Sequence, residues 1–318
     1  MKMTKIALSL LLLGMMTGCA GVRTTTPVSL SDLPNCFESN YDKARGLFTI
    51  KSDVGNRVNQ QCLLTVGPHW DAAPASGLRA GAYRIYLANG GGGGAGGTLQ
   101  DFRRGGGGGG GGGAGSMETQ VAVNLTEGTY KLTIGAGGPG GTACMPGAGF
   151  GGGPGWVGSP SNLVRVATGE VLIGTPGADS YARPTRAQLD RSAGKKDPGH
   201  GGSGAGQTSG GHGSTAASAE TARVEATAGA SKSGSGRSEP GGTTGSISRA
   251  DQSSGVGGGG GATSIGRGGE GGGESPGQTA NPPDRGALGS GGGGGEGTVS
   301  ECDPGARGGH GYIALRPN

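Results

Sequence analysis

Glycine runs constrain this chain more than any other feature. Gly90–Gly94, Gly105–Gly113, Gly257–Gly261 and Gly291–Gly295 are uninterrupted, and 81 of the 318 residues are glycine. A run without side chains offers only its backbone, so it is either a linker or a packed main-chain structure. Ordering each glycine costs roughly 1–2 kcal/mol or more, so an isolated run stays a linker unless both of its ends are held. Polyglycine has one ordered form suited to packing: an extended helix of polyproline II geometry, with three residues per turn and no internal hydrogen bonds. Without Cβ atoms, several such helices pack side by side and pair their N–H and C=O groups with one another. Gly105–Gly113 would span about 28 Å in that form, at ~3.1 Å per residue.

The segments around the runs supply fixed ends. Leu47–Ile50 and Cys62–Val66 have the composition of short strands. Tyr83, Ile85 and Leu87 alternate with Arg84, Tyr86 and Ala88, then lead straight into Gly90. Val121, Val123 and Leu125 alternate with polar or small residues. After Glu127–Gly128, Tyr130, Leu132 and Ile134 repeat the pattern and lead into Gly135. This period-two burial predicts a hairpin over residues 120–134. A second hairpin is predicted from Leu163–Val166 and Glu170–Ile173 through Thr168–Gly169, and Tyr312–Leu315 reads as a closing strand. Pro184 and Gly194 bracket a possible short helix over 184–193. From Lys195 to about Gln278 aliphatic residues nearly vanish, so that stretch is either disordered or held by backbone pairing alone. For the runs between 90 and 158, strands at both junctions favour packing over a linker.

The N-terminus has the pattern of a bacterial lipoprotein export signal. Lys2 and Lys5 precede an apolar Ile6–Met16 stretch, too short to span a bilayer. Met16-Thr17-Gly18-Cys19 resembles a lipobox, with Met16 where leucine is more usual. The resemblance implies cleavage before Cys19 and acylation of that residue, a lipid hold worth about 0.8 kcal/mol per buried CH₂. Ala20 resembles an outer-membrane sorting residue, although the side of the membrane stays open. Removing Lys2 and Lys5 leaves 24 basic against 22 acidic residues, a mature charge of +2. Nucleic acid binding wants a concentrated basic face, so no nucleic acid partner is expected. The Arg-Gly-Gly triplets at Arg104, Arg267 and Arg307 are what a quarter-glycine chain produces by chance.

Apart from Cys19, four cysteines remain: Cys36, Cys62, Cys144 and Cys302. An even number in an exported chain reads as two disulfides with three possible connectivities. Cys36 with Cys62 and Cys144 with Cys302 are favoured. In the chain-entropy model such loops stabilise by roughly 3.5 and about 5 kcal/mol. The four histidines, His69, His200, His212 and His310, lie far apart in sequence, and no C-x-x-C pair occurs, so no metal site is expected. There is no P-loop, nucleophile elbow or βαβ unit behind the many chance Gly-x-Gly-x-x-Gly windows. Neither an enzyme nor a cofactor is expected.

What remains is recognition. Thr98–Arg104 interrupts two long runs, and Phe102 with Arg103 and Arg104 forms an apolar and cationic cluster suited to a protein or glycan surface. Trp156, after Gly151-Gly-Gly-Pro-Gly, is the second binding candidate. Either aromatic can equally serve as packing against the glycines. The junctions Ala82–Ala88 before a run, Gly128–Gly138, and the terminal Gly308–Leu315 resemble recurrent pieces of glycine-rich domains. Such domains occur in phage tail-tip adhesins, bacterial surface proteins and the ectodomains of anaplastic-lymphoma-kinase-type receptors, and the similarity covers roughly residues 82–318. It implies a mainly β fold, in which a short-stranded framework carries a bundle of polyglycine helices with low-complexity loops whose tips bind partners. The expected organisation is a signal at 1–19, a tether at 20–34, a small β-rich region at 35–81 and a glycine-rich domain at 82–318, low in complexity over 195–280. The expected role is an outer-membrane, lipid-anchored module for adhesion, mating contact or phage-related recognition. The alternative is an envelope or matrix component that uses the glycine-rich region as a spacer.

Overall fold

The computed structural model describes residues 29–37, 40–42, 44–51, 60–68, 77–97, 111–115, 117–143, 153, 155–174, 232–234, 237–239, 260, 262–263, 266–272, 286, 288–295 and 302–318. The chain divides into two units, Met1–Leu33 and Pro34–Asn318. In the first, the described part is one exposed 3-10 turn, Leu30–Asp32. The expected helix over 184–193 lies outside the described residues, as does Cys19.

The second unit is mainly β. Its strands are β1 (Tyr41–Asp42), β2 (Leu47–Lys51), β3 (Gln60–Gly67), β4 (Gly77–Arg79), β5 (Gly81–Ala88), β6 (Met117–Leu125), β7 (Gly128–Ile134), β8 (Asn162–Arg165), β9 (Val171–Gly174), β10 (Lys232–Gly234), β11 (Arg237–Glu239) and β12 (Tyr312–Pro317). One five-stranded sheet has the order β1-β2-β12-β5-β6, a second β4-β3-β7-β8-β9, and β10 and β11 pair with each other. All pairs are antiparallel except β3 with β4.

Alternation along the strands decides the core. Phe48 and Ile50, Ile85 and Leu87, and Ile313 and Leu315 of the first sheet are buried. They share one apolar cluster with Leu64, Leu132, Ile134 and Leu163 of the second. The two sheets therefore pack as layers around a single core. The segments 35–81 and 82–318 are interleaved rather than separate: β2 lies beside β12 and β3 beside β7. The Cys36–Cys62 disulfide spans a Cα–Cα distance of 5.5 Å. It pins residues 34–36 along β3, where Cys36 N–H donates to Leu63 O at 3.0 Å.

The hairpin read from residues 120–134 does not form. β6 pairs with β5 in one sheet, whereas β7 pairs with β3 and β8 in the other. Thr126–Gly128 is thus a corner between layers. The Tyr130 hydroxyl closes it, donating to Thr126 O at 2.8 Å and accepting from Thr126 N–H at 3.1 Å. Burial periodicity says which face of a strand turns inward, and both strands satisfy that from opposite layers. The hairpin β8–β9 does form, with Gly169 at φ +70° in its turn.

Beyond the sheets the glycine segments are bonded backbone to backbone. Gly90, Gly93 and Gly96 donate to the carbonyls of Ser159, Trp156 and Gly153, each at 2.9 Å. Gly91, Gly94 and Gly97 donate to Gly309, Ala306 and Asp303 at 2.8–2.9 Å, and Gly92 donates to Gly113 at 2.8 Å. The carbonyls of Gly91 and Gly94 accept from Gly138 and Gly141, and those of Gly92 and Ala95 from Gly292 and Gly295. Five segments thus surround residues 90–97, every one of which is buried. The partner recurs at every third residue, where a strand would repeat at every second.

Candidate functional site

Four strand ends meet where the sheets give way to glycine. β5 and β7 run outward into Asn89 and Gly135, while Ser161 and Gly311 lead back into β8 and β12. Ser161 Oγ donates to Ala88 O at 2.7 Å and accepts from Gly135 N–H at 2.9 Å. Ser161 N–H donates to Asn89 Oδ1 at 2.7 Å, and Gly311 N–H to Gly135 O at 2.7 Å. Gly311 packs so close that a Cβ there would collide with Ser161 Oγ and Ala88 O. His310 is buried above this clasp, and its Nδ1 accepts from Gly137 N–H at 3.3 Å.

Strand direction then sets the direction of every glycine segment. Residues 135–143 run alongside 89–97, while 153–160 and 303–311 run back toward the sheets, as the rising and falling partner numbers require. The described segments consequently stop, at Gly97, Ala143 and Gly295, and resume, at Gly111, Gly153 and Cys302, on the side away from the sheets. Phe102, Arg103, Arg104 and Cys144 lie outside the described residues. Cys302 takes part in a disulfide.

Trp156 has a different place. Its N–H donates to Pro139 O at 2.9 Å and its carbonyl accepts from Gly93, midway between the sheet end and the far end. The residue is half-buried on the flank of the network, level with Gly93. The structure therefore places Trp156 nearer the sheets than Gly97, where the described part of that run ends.

At the opposite end of the sheets is a cleft of about 430 Å³ lined by Tyr41, Leu78, Arg79, Tyr83, Pro317 and Asn318. Tyr41 stacks on Phe37 with centroids 4.7 Å apart, and the Tyr83 hydroxyl donates to Arg79 O at 2.9 Å. Burial pushes the Tyr83 phenol above its ordinary pKa, against the lowering effect of that hydrogen bond. Tyr312, on the outer face of the first sheet, is raised for the same reason, offset by the Thr49 side chain. Both therefore act as neutral hydrogen-bonding groups at physiological pH. Among the described residues no group of His, Cys, Asp and Glu is arranged to hold a metal ion. Among them, too, no helix is long and apolar enough to cross a membrane. No protein-family model and no curated protein matches this sequence.

Proposed function

We propose that this chain is a surface lipoprotein of the outer membrane that acts as a recognition or adhesion module in cell contact, mating or phage-related attachment. Acyl chains on Cys19 are its hold on the bilayer. In this reading the glycine segments form a bundle of polyglycine helices of polyproline II geometry, stiff enough to present the loops at its far end. The observation that carries the reading is the period of three in the hydrogen bonds of residues 90–97, spread over five neighbouring segments. An extended helix with three residues per turn returns every third N–H to the same side. Segments buried and bonded on all sides are costly to order and poor as linkers. A role in rigid presentation accounts for that cost, because a preordered surface loses less entropy on binding.

Within this reading Phe102, Arg103 and Arg104 contact a surface protein or glycan, since they follow in sequence on Gly97, which bonds Asp303 at the end of the network away from the sheets. Trp156 contributes from the flank. The test is to replace Phe102, Arg103 and Arg104 together by serine in the full chain, then measure attachment to the target cell or receptor. Attachment should fall by tenfold or more, at an unchanged melting temperature. Attachment that survives this change, but fails when the glycine runs are shortened, identifies the chain as a spacer in the envelope and rejects the recognition reading.

A further inference from the structure

We propose that the outer face of the first sheet is a docking surface for an acidic, carboxylate-bearing polysaccharide, centred on Arg84 and Arg316. These residues sit directly opposite each other on the paired strands β5 and β12. Directly opposed side chains share a face, with Cβ atoms about 4.5–5.5 Å apart, and like charges so placed repel and destabilise the sheet. Both arginines are exposed. Asn318 Oδ1 accepts from Arg84 Nε at 2.8 Å. The ion pairs among the described residues, Arg45 with Asp42 and Arg267 with Glu270, involve neither arginine.

The side chains flanking the pair on β5, β12 and β6 carry no compensating charge. Ala82 and Tyr86 flank Arg84 on β5, and Ala314 precedes Arg316 on β12. Ala122 stands opposite Arg84 on β6, with Asn124 two residues further along. The nearest carboxylate side chain by register is Asp42, opposite Leu47 on β1. It lies beyond β2, two strand spacings or about 10 Å from β12, and already faces Arg45 at 3.6 Å. A cationic pair in central strands with no carboxylate side chain beside it is a cost that an anionic ligand reduces. Two adjacent guanidiniums suit the planar, two-oxygen geometry of a carboxylate.

The remaining chemistry selects a sugar polymer. Tyr86, two residues from Arg84, stands opposite Ala314, and Tyr312 opposite Ala88, so small side chains leave room beside both rings. Each tyrosine is half-buried, so part of its ring stays open for a sugar ring to stack on. A bilayer is a poorer fit. Leu30, in the other unit, is the large apolar residue most exposed among those described, so this face has no such side chain to insert. The surface includes neither Phe102–Arg104 nor Trp156, and either proposal can fail without the other.

The test uses the full chain in detergent at low ionic strength, with polygalacturonate as probe and neutral dextran as control. Polygalacturonate should bind and raise the melting temperature of the wild type, as any ligand of the native state does. Arg84→Gln/Arg316→Gln should lose that rise and bind about tenfold or more weakly, and Arg84→Lys/Arg316→Lys should fall between, keeping the charge but not the fork. Without glycan the glutamine variant should melt at the wild-type temperature or above it. An equal rise in wild type and glutamine variant overturns the proposal. So does a rise induced equally by dextran, or arginine-dependent binding to phosphatidylglycerol vesicles without binding to polygalacturonate. A fall of several degrees in the unliganded glutamine variant would mean that the arginines hold the sheet together, and would overturn it as well.

Discussion

A Cβ built at Gly94 would collide with the carbonyl of Gly293, and one at Gly291 with that of Gly112. The obstacle in each case is another backbone, which has no rotamer to yield. Gly67 differs: on β3 its Cβ would meet only Leu78 O, at an ordinary 3.9 Å. Gly94→Ala should therefore cost about 3 kcal/mol or more, at the upper end of overpacking, and lower the melting temperature by roughly 6–12 °C. Gly67→Ala should stay within about 1 kcal/mol of wild type. Thermal unfolding of the two variants checks this, and equal effects would mean that residues 90–97 are loosely packed. Glycine content was plain in the sequence; which glycines admit no carbon depends on partners as distant as Gly293.

The strand ends are where β structure is converted into the glycine network, and Ser161 joins three of them. Its hydroxyl satisfies a donor from β7's exit and an acceptor from β5's, both buried. Ser161→Ala should leave the Gly135 N–H without a partner and take one of the bonds from Ala88 O, which also pairs with β12, at about 1–3 kcal/mol. Amide exchange at Gly135 should quicken alongside the fall in stability, and a variant as stable as wild type would deny the clasp its role. Strands β2, β3, β5, β7 and β12 were legible because apolar residues alternate in them. The neighbours of β6 were not. Val121, Val123 and Leu125 carry the same pattern whether their strand pairs across Gly128 or across the sheet with β5. The Arg84–Arg316 pairing was hidden for a related reason, since 232 positions separate the two residues and only the β5–β12 register brings them together.

Across the unit from Pro34 to Asn318, two layers of sheet supply the ends that the glycine segments need. Two strands feed chain outward and two receive it back, so neighbouring segments arrive at the spacing and direction that main-chain bonding requires. The amides of Gly90–Gly94, Gly96 and Gly97 should then exchange with solvent at rates comparable to the core strands, because each is buried and bonded to a neighbouring segment. Exchange as fast as in a free peptide would contradict the network and remove the basis for rigid presentation. The candidate binding residues were legible in part. Phe102–Arg104 stood out as a break between runs, and the tertiary arrangement adds only that the run before them reaches Gly97 on the side away from the sheets. Trp156 stood out as a lone indole, and the structure assigns it to the flank.

The sequence by itself determined the β character, the buried faces and the absence of side chains that lets backbones approach, because these follow from local alternation and composition. Only the tertiary structure decided which segment each glycine bonds, that β6 and β7 part into different layers, and that two arginines confront each other. Those outcomes depend on register between distant segments, and no local pattern encodes which of several equally apolar or equally bare neighbours a segment will meet.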